Sequence, residues 1–307
     1  MDRRYGYCCI NLTLAKDKIS TNRGMIKKTF DEKGMDYVSD LSLLNVKDLE
    51  KIIKWNSKNG ISMYRMSSDM FPWCSEYEIE DLKDFSEISK ILKRIGDFAK
   101  SSNQRITFHP SPYGVLASER EDVVKKAIKE ISQHGQIMDI MGLERNHFYP
   151  INVHVNTTKP SKEEAAKRFC KNFELLPDSA KSRLVLEIDD KKSQYNSKDL
   201  LDLVHSKIGI PITFDYLHNK CNPHPDLNEE ESLKICLSTW KNGIIPITHY
   251  SDSRKIFEDQ SSKEVAHSDW IWGSPETYGM DFDIEFEVKM KDLALIKYIN
   301  FKKIKKI

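Results

Sequence analysis

The chain of 307 residues has no apolar run near the roughly 18 residues that cross a bilayer, which excludes a transmembrane helix. Its 6 cysteines, Cys8, Cys9, Cys74, Cys170, Cys221 and Cys236, form no CxxC pair and no regular spacing. Neither a zinc knuckle nor a disulfide framework is therefore expected; reduced thiols inside a cell are. The N-terminus passes from basic residues straight into a strand-like stretch without the apolar core of a secretory signal. The expected location is cytoplasm or nucleus, not outside the cell. Charge of one sign is also scarce: 48 basic residues meet 47 acidic ones, so nucleic-acid binding has to rest on local patches. No internal repeat, low-complexity tract or Gly/Pro-rich linker divides the sequence. With 39% hydrophobic and 31% charged residues it has a soluble globular balance, and its length admits one α/β barrel.

What is present is one pattern repeated along the chain: a short β-branched or aromatic run, a polar residue at its C-terminal end, then an amphipathic charged segment. Eight such runs occur, over residues 4–11, 60–68, 105–110, 151–156, 183–190, 210–218, 243–251 and 282–289. Helix candidates lie between them, for example 46–60, ending on Asn-Gly, and 119–142. Stretches 160–181 and 190–200 read as long charged loops. Eight strands alternating with helices predict a single (β/α)8 TIM barrel, with a barrel domain over residues 1–295 and a short basic tail over 296–307.

The strand ends carry the chemistry. Strand three ends in His109, four in His154, five in Glu187, six in Asp215 with His218 three residues on, seven in His249 and eight in Glu287; His267 lies in the loop before the last strand. A lone histidine is usually a packed structural residue, but five of nine at successive strand ends converge on one rim. Gathered carboxylates repel one another unless multivalent cations compensate them. Imidazole with carboxylate suits Zn2+, Mn2+ or Fe2+, and so many ligands exceed the needs of one ion. Two or three ions, about 3.5–4 Å apart, suit phosphodiester hydrolysis.

Seven motifs then follow in one order: GYCCINLTL (6–14), YRMSSDMFP (64–72), FHPSPY (108–113), LEIDDK (186–191), DYLHNKCNP (215–223), THYSDS (248–253) and EFEVKMKD (285–292). In these the chain resembles the UV damage endonucleases, repair enzymes related to apurinic endonuclease IV, over nearly its whole length. The resemblance implies a metal cluster of two or three ions, Mn2+ first and Zn2+ or Co2+ as alternatives. Its ligands by motif position would be His109, His154, Glu187, Asp215, His218, His249, His267 and Glu287. It implies hydrolysis of the phosphodiester 5′ to a cyclobutane dimer or 6-4 photoproduct in duplex DNA, leaving a 3′ hydroxyl, with Glu187 and Glu287 as catalytic carboxylates. Tyr7, Asn11 and Tyr113 would probe the lesion, and Lys191, Lys289 and Lys291 would contact DNA phosphates. A monomer without a membrane or an obligatory protein partner is expected.

Two positions depart from the family pattern. Ser111 and Pro112 stand where a Gly-Gln pair is common, removing an amide wedge, and Ile247 stands where some members carry a modified lysine. Residues two apart on a strand face the same side, so Ile247 is expected to fill core beneath His249. Two rivals remain at this point: an abasic-site endonuclease with the same chemistry, and a metal-dependent sugar isomerase on a similar barrel.

Overall fold

Eight short strands pair only in parallel: β1 (Tyr5–Cys8), β2 (Met63–Met66), β3 (Arg105–Phe108), β4 (Ile151–Val153), β5 (Leu184–Glu187), β6 (Ile212–Asp215), β7 (Ile247–Tyr250) and β8 (Asp283–Phe286). In the computed structural model, which describes residues 3–305, β8 closes onto β1 and the sheet is a barrel with helices between its strands. The expected (β/α)8 fold is what the chain adopts. The seams are unequal. The β7–β8 ladder runs through four residue pairs from Ile247↔Asp283 to Tyr250↔Phe286, whereas β3 and β4 share the single pair Phe108↔Ile151.

Register sets which side chains enter the barrel, because neighbours along a strand face opposite sides. Cys8 pairs with Arg65, Arg65 with Thr107, and His249 with Glu285, and these side chains meet inside. One level below, Met63, Val185 and Ile247 pack with Trp240 in a small apolar cluster. Ile247 is thus a core residue. Gly6 belongs to this crowded level, where any Cβ would stand 2.6 Å from the Met63 carbonyl oxygen.

The helices cover the outside. In helix Phe85–Ser101 the buried residues Ile88, Ile91, Leu92, Ile95 and Ala99 recur at helical spacing and form one stripe against the sheet. The candidate 119–142 forms helix Glu121–Ile140, and 46–60 is the end of helix Lys27–Lys58, which is broken at Gly34, where φ is 64°. Residues 160–181, expected as a loop, instead contain helices Lys162–Phe173 and Asp178–Lys181. The Ser161 side chain caps the first by accepting from Glu164 N, and Ala165, Ala166, Phe169 and Phe173 bury its inner face. Residues 190–200 are irregular until a capping box between Asn196 and Asp199 starts helix Ser197–Leu200. The basic tail does not begin a separate segment at 296: helix Lys291–Lys305 runs through that point with Ala294, Leu295 and Tyr298 buried. Residues 306 and 307 of the expected tail lie outside the described residues.

At the N-terminal end of the strands the interior is closed by paired charge. Arg105 is fully buried, contacts Asp283 at 2.9 Å, and donates to the carbonyls of Phe148, Ile245 and His147 at 2.6, 2.7 and 3.0 Å. Arg4 holds the other carboxylate oxygen of Asp283 through its backbone N–H at 2.9 Å.

Candidate metal centre

The opposite end gathers the residues singled out at the strand ends. Glu187, the last residue of β5, is at the middle. Its Oε2 lies 3.5 Å from His109 Nε2, 3.6 Å from His154 Nε2 and 3.0 Å from His249 Nδ1, and its Oε1 lies 3.3 Å from His218 Nδ1. Glu287, just past β8, forms a second focus: Oε1 is 3.3 Å from His249 Nδ1 and Oε2 is 3.9 Å from His267 Nε2. Asp215 completes a group with Glu187, His249 and Glu287 whose ligand atoms lie within 4.8 Å of one another; His109, His154 and Glu187 form another. All eight expected ligands therefore come together around two carboxylates.

The histidines are aimed from behind. His109 Nδ1 is 2.9 Å from the Pro110 carbonyl, His154 Nδ1 is 3.1 Å from Asp189, and His267 Nδ1 is 2.7 Å from Ser251 Oγ. With Nδ1 held, each presents Nε2 to Glu187 or Glu287, as metal-ligating imidazoles do. His218 Nδ1 meets the Ile188 carbonyl at 2.9 Å, and Asn152 donates to Glu187. The loop bearing His267 is fixed by its antiparallel bridge to Ser253 and by Asp252, which accepts from Trp272 N at 2.8 Å.

Sequence reasoning missed two charged residues beneath this ring. Arg65 on β2 pairs with Glu285 and, at 2.6 Å, with Glu287, and its Nη2 is 2.9 Å from His249 Nε2. Glu285 is wholly buried; its Oε2 accepts from Thr107 Oγ1 at 2.8 Å, and Cys8 Sγ lies 3.4 Å from its Oε1. The signal was available: Glu285 is two residues before Glu287 and shares its face.

Burial alone would raise the Glu187 carboxyl, yet His249 and His154 hold it well below the usual carboxylate range. Glu287 is likewise held low, against burial, by Arg65 and His249. Asp215 goes the other way: burial raises it, and the Glu187 and Glu287 charges add to the rise. Burial disfavours a charged His218, but Asp215 foremost, with Glu187 and Glu287, lifts it to about 10. The positive charge that these carboxylates and Glu285 meet comes from Arg65 and from the imidazoles, and Asp215 Oδ2 is buried without a hydrogen-bond partner among the described residues. A donor set of imidazole and carboxylate fits divalent cations, which would take the place of the imidazole protons.

The expected DNA contacts divide. Tyr7 cannot probe a lesion: it lies between inward-facing Gly6 and Cys8, points out toward the helices, and is fully buried with its hydroxyl on Asn56 at 2.9 Å. Asn11 is also committed, since its Oδ1 caps helix Leu12–Ala15 through Leu14 N and its Nδ2 donates to Tyr7 at 2.8 Å. Tyr113 is different. It is 85% exposed on the tip of a turn that Glu130 ties down by accepting from Ser111 N at 2.7 Å. It edges a cleft of about 970 Å3 with Phe71 and Trp73 in the wall, and none of the eight ring residues lines that cleft. Lys191 and Lys289 are exposed and Lys291 is half-buried, all following strand ends of this face.

The model of the UV-endonuclease UvdE family matches residues 3–307. The UV DNA damage endonuclease of Clostridium perfringens is 33% identical over 97% of this chain and 70% of that protein. The UV-damage endonuclease of Schizosaccharomyces pombe is 33% identical over 96% of this chain, which spans half of that protein's length. Among solved structures, SacUVDE superposes with a TM-score of 0.85 at 30% identity over all of both chains. Endonuclease IV from Thermus thermophilus, at 13% identity and a TM-score of 0.58 over 99% of this chain and 100% of that one, shares the fold alone.

Proposed function

Since the chain belongs to the UV-endonuclease UvdE family, we propose that it is a metal-dependent endonuclease that cuts duplex DNA on the 5′ side of UV photoproducts and leaves a 3′ hydroxyl. The observation that carries this reading is the double focus of ligands on Glu187 and Glu287. It offers two adjacent cation sites in one buried ring. His109, His154 and Glu187 would hold one ion, and Asp215, His249 and Glu287 another, with Glu187 shared. His218 and His267 complete the set, and Mn2+ is the expected ion. Divalent ions there would neutralise the charge that develops on the attacking and leaving oxygens of a phosphodiester.

The chain's own residues supply the rest. Glu187 and Glu287 remain ionised at the strand ends because cationic groups surround them, so their negative charge is in place before substrate arrives. The ring lies at the barrel mouth, which a stacked base pair cannot enter; the damaged dinucleotide has to leave the helix to bring its phosphate down. Tyr113 would stack on what remains, a reading supported by its exposure on a tethered turn. Lys191, Lys289 and Lys291 are candidates to bind flanking phosphates.

The test is nicking of defined duplexes that carry a cyclobutane dimer, a 6-4 photoproduct or an abasic site, with and without Mn2+. Mn2+-dependent cleavage 5′ to the photoproducts is expected. Cleavage confined to the abasic duplex would replace this reading with the abasic-site one.

A further inference from the structure

Cys8, Glu285 and Glu287 make a third group with the spacing of metal ligands, and the guanidinium of Arg65 lies among them. We propose that Arg65 is a built-in cation of the metal centre, a positioning residue that fixes Glu287 from below, and that Glu285 is its counter-ion and not a metal ligand. The inference rests on the metal-centre reading above.

Arg65 rises from β2 and touches residues of β7 and β8 across the barrel. Its Nε meets Glu285 Oε1, its Nη1 meets Glu287 Oε1 at 2.6 Å, and its Nη2 stands 2.9 Å from His249 Nε2. A guanidinium is planar and always charged: here Nη2 hydrogen-bonds His249, while Nε, which has no hydrogen-bond partner among the described residues, and Nη1 meet Glu285 and Glu287 as close ion pairs, so one fixed cation stands against all three partners. Glu287 is thereby divided: Oε1 is held by Arg65, while Oε2 faces His267.

Both oxygens of Glu285 are taken at the lower level, Oε1 by Arg65 with Cys8 Sγ 3.4 Å away, and Oε2 by Thr107 at 2.8 Å. An ion on Glu285 would have to displace Arg65 Nε and sit within a few ångströms of a fixed positive charge, in a region water does not reach. Two of the three groups can take ions. The third already holds its cation covalently attached to the chain.

Two variants test this, Glu285→Gln and the paired Arg65→Met/Glu285→Met, the second removing both charges together so that neither is left buried alone. The measurement is Mn2+ content per chain and Mn2+ affinity, read from the rise in melting temperature of the metal-free protein on titration. E285Q should bind as many ions as the parent. The double variant should unfold cooperatively but bind Mn2+ about 10- to 100-fold more weakly, the usual cost of losing the support behind a ligand. One ion fewer in E285Q would make Glu285 a ligand, and parental affinity in the double variant would remove the positioning role; either result overturns the proposal. If the double variant does not fold, Arg65→Lys decides: a charge without the planar fork should weaken Mn2+ binding, and parental affinity overturns the role. A parent that binds no Mn2+ fails the metal-centre reading itself, a result distinct from all of these.

Discussion

The two ends of the barrel treat buried charge in opposite ways. At the N-terminal end Arg105 and Arg4 share Asp283, and Arg183 donates to the carbonyls of Gly135, Leu143, Glu144 and Ser179 while pairing with Asp139. Each arginine there has carbonyl or carboxylate oxygens for its donors. At the C-terminal end the carboxylates share one arginine and otherwise meet imidazoles, and an oxygen of Asp215 has no donor among the described residues. A barrel can therefore bury ions for stability or for use, and the difference lies in whether the charges close on themselves. An end whose balance rests on imidazole protons, which a metal ion can displace, is one that expects a guest.

The largest effect should come from the open end. Glu187→Gln keeps the shape but removes the charge that four histidines face, and should lower nicking by about 10^3-fold or more. Unchanged nicking would remove Glu187 from the chemistry, while photoproduct binding by gel shift should persist. At the closed end, Arg105→Met leaves Asp283 with Arg4 alone and should cost about 3–5 kcal/mol in urea unfolding, because it strips a buried carboxylate of its main partner. Mn2+ content of the folded fraction should not move; if it falls, the ends are coupled and the contrast fails.

The pH dependence sharpens the same contrast. His218 is lifted to about 10, so at pH 7 it is protonated and an incoming ion must displace that proton. Mn2+ affinity should then rise about tenfold per pH unit for each proton displaced, until pH passes about 10. For the metal-free protein the sign is reversed. A raised histidine contributes stability fully below its unfolded value of about 6.5 and loses it as pH climbs through about 10, so metal-free melting temperature should fall between pH 7 and 10. Calorimetric titrations and melting curves at pH 7, 8 and 9 check both directions.

Smaller effects lie at the surface and behind the sheet. Tyr113→Ala should weaken photoproduct binding by about 1–3 kcal/mol, the worth of one stacked base, with Mn2+ content unchanged. Tyr7→Phe should leave lesion selectivity intact and cost about 1–3 kcal/mol of stability, since Asn11 and Asn56 lose a buried partner. A changed ratio of photoproduct to undamaged binding in Tyr7→Phe would restore the probing role that burial denies it.

The eight strands were legible from their short apolar runs, and most of the ring residues because strands three to eight each end where that run meets a histidine or carboxylate. Arg65 and Glu285 escaped because they lie one level inside, where a charged residue within a strand has no meaning until its partners on other strands are known. Tyr7 misled for a related reason: its motif promised a contact, but register turned it outward between Gly6 and Cys8. The helix at 162–173 carried its own cap in Ser161 and Glu164, and high charge concealed the buried spacing of Ala165, Ala166, Phe169 and Phe173.

The single-pair seam between β3 and β4 bears on the ring above it. His109 follows one of these strands and His154 the other, and their imidazoles are 5.4 Å apart. On the far side His249 and Glu285 are a residue pair within a four-pair ladder. The ring therefore spans unequal seams: His109 and His154 rise from strands joined by one residue pair, while His249 and Glu285 are anchored in a ladder of four.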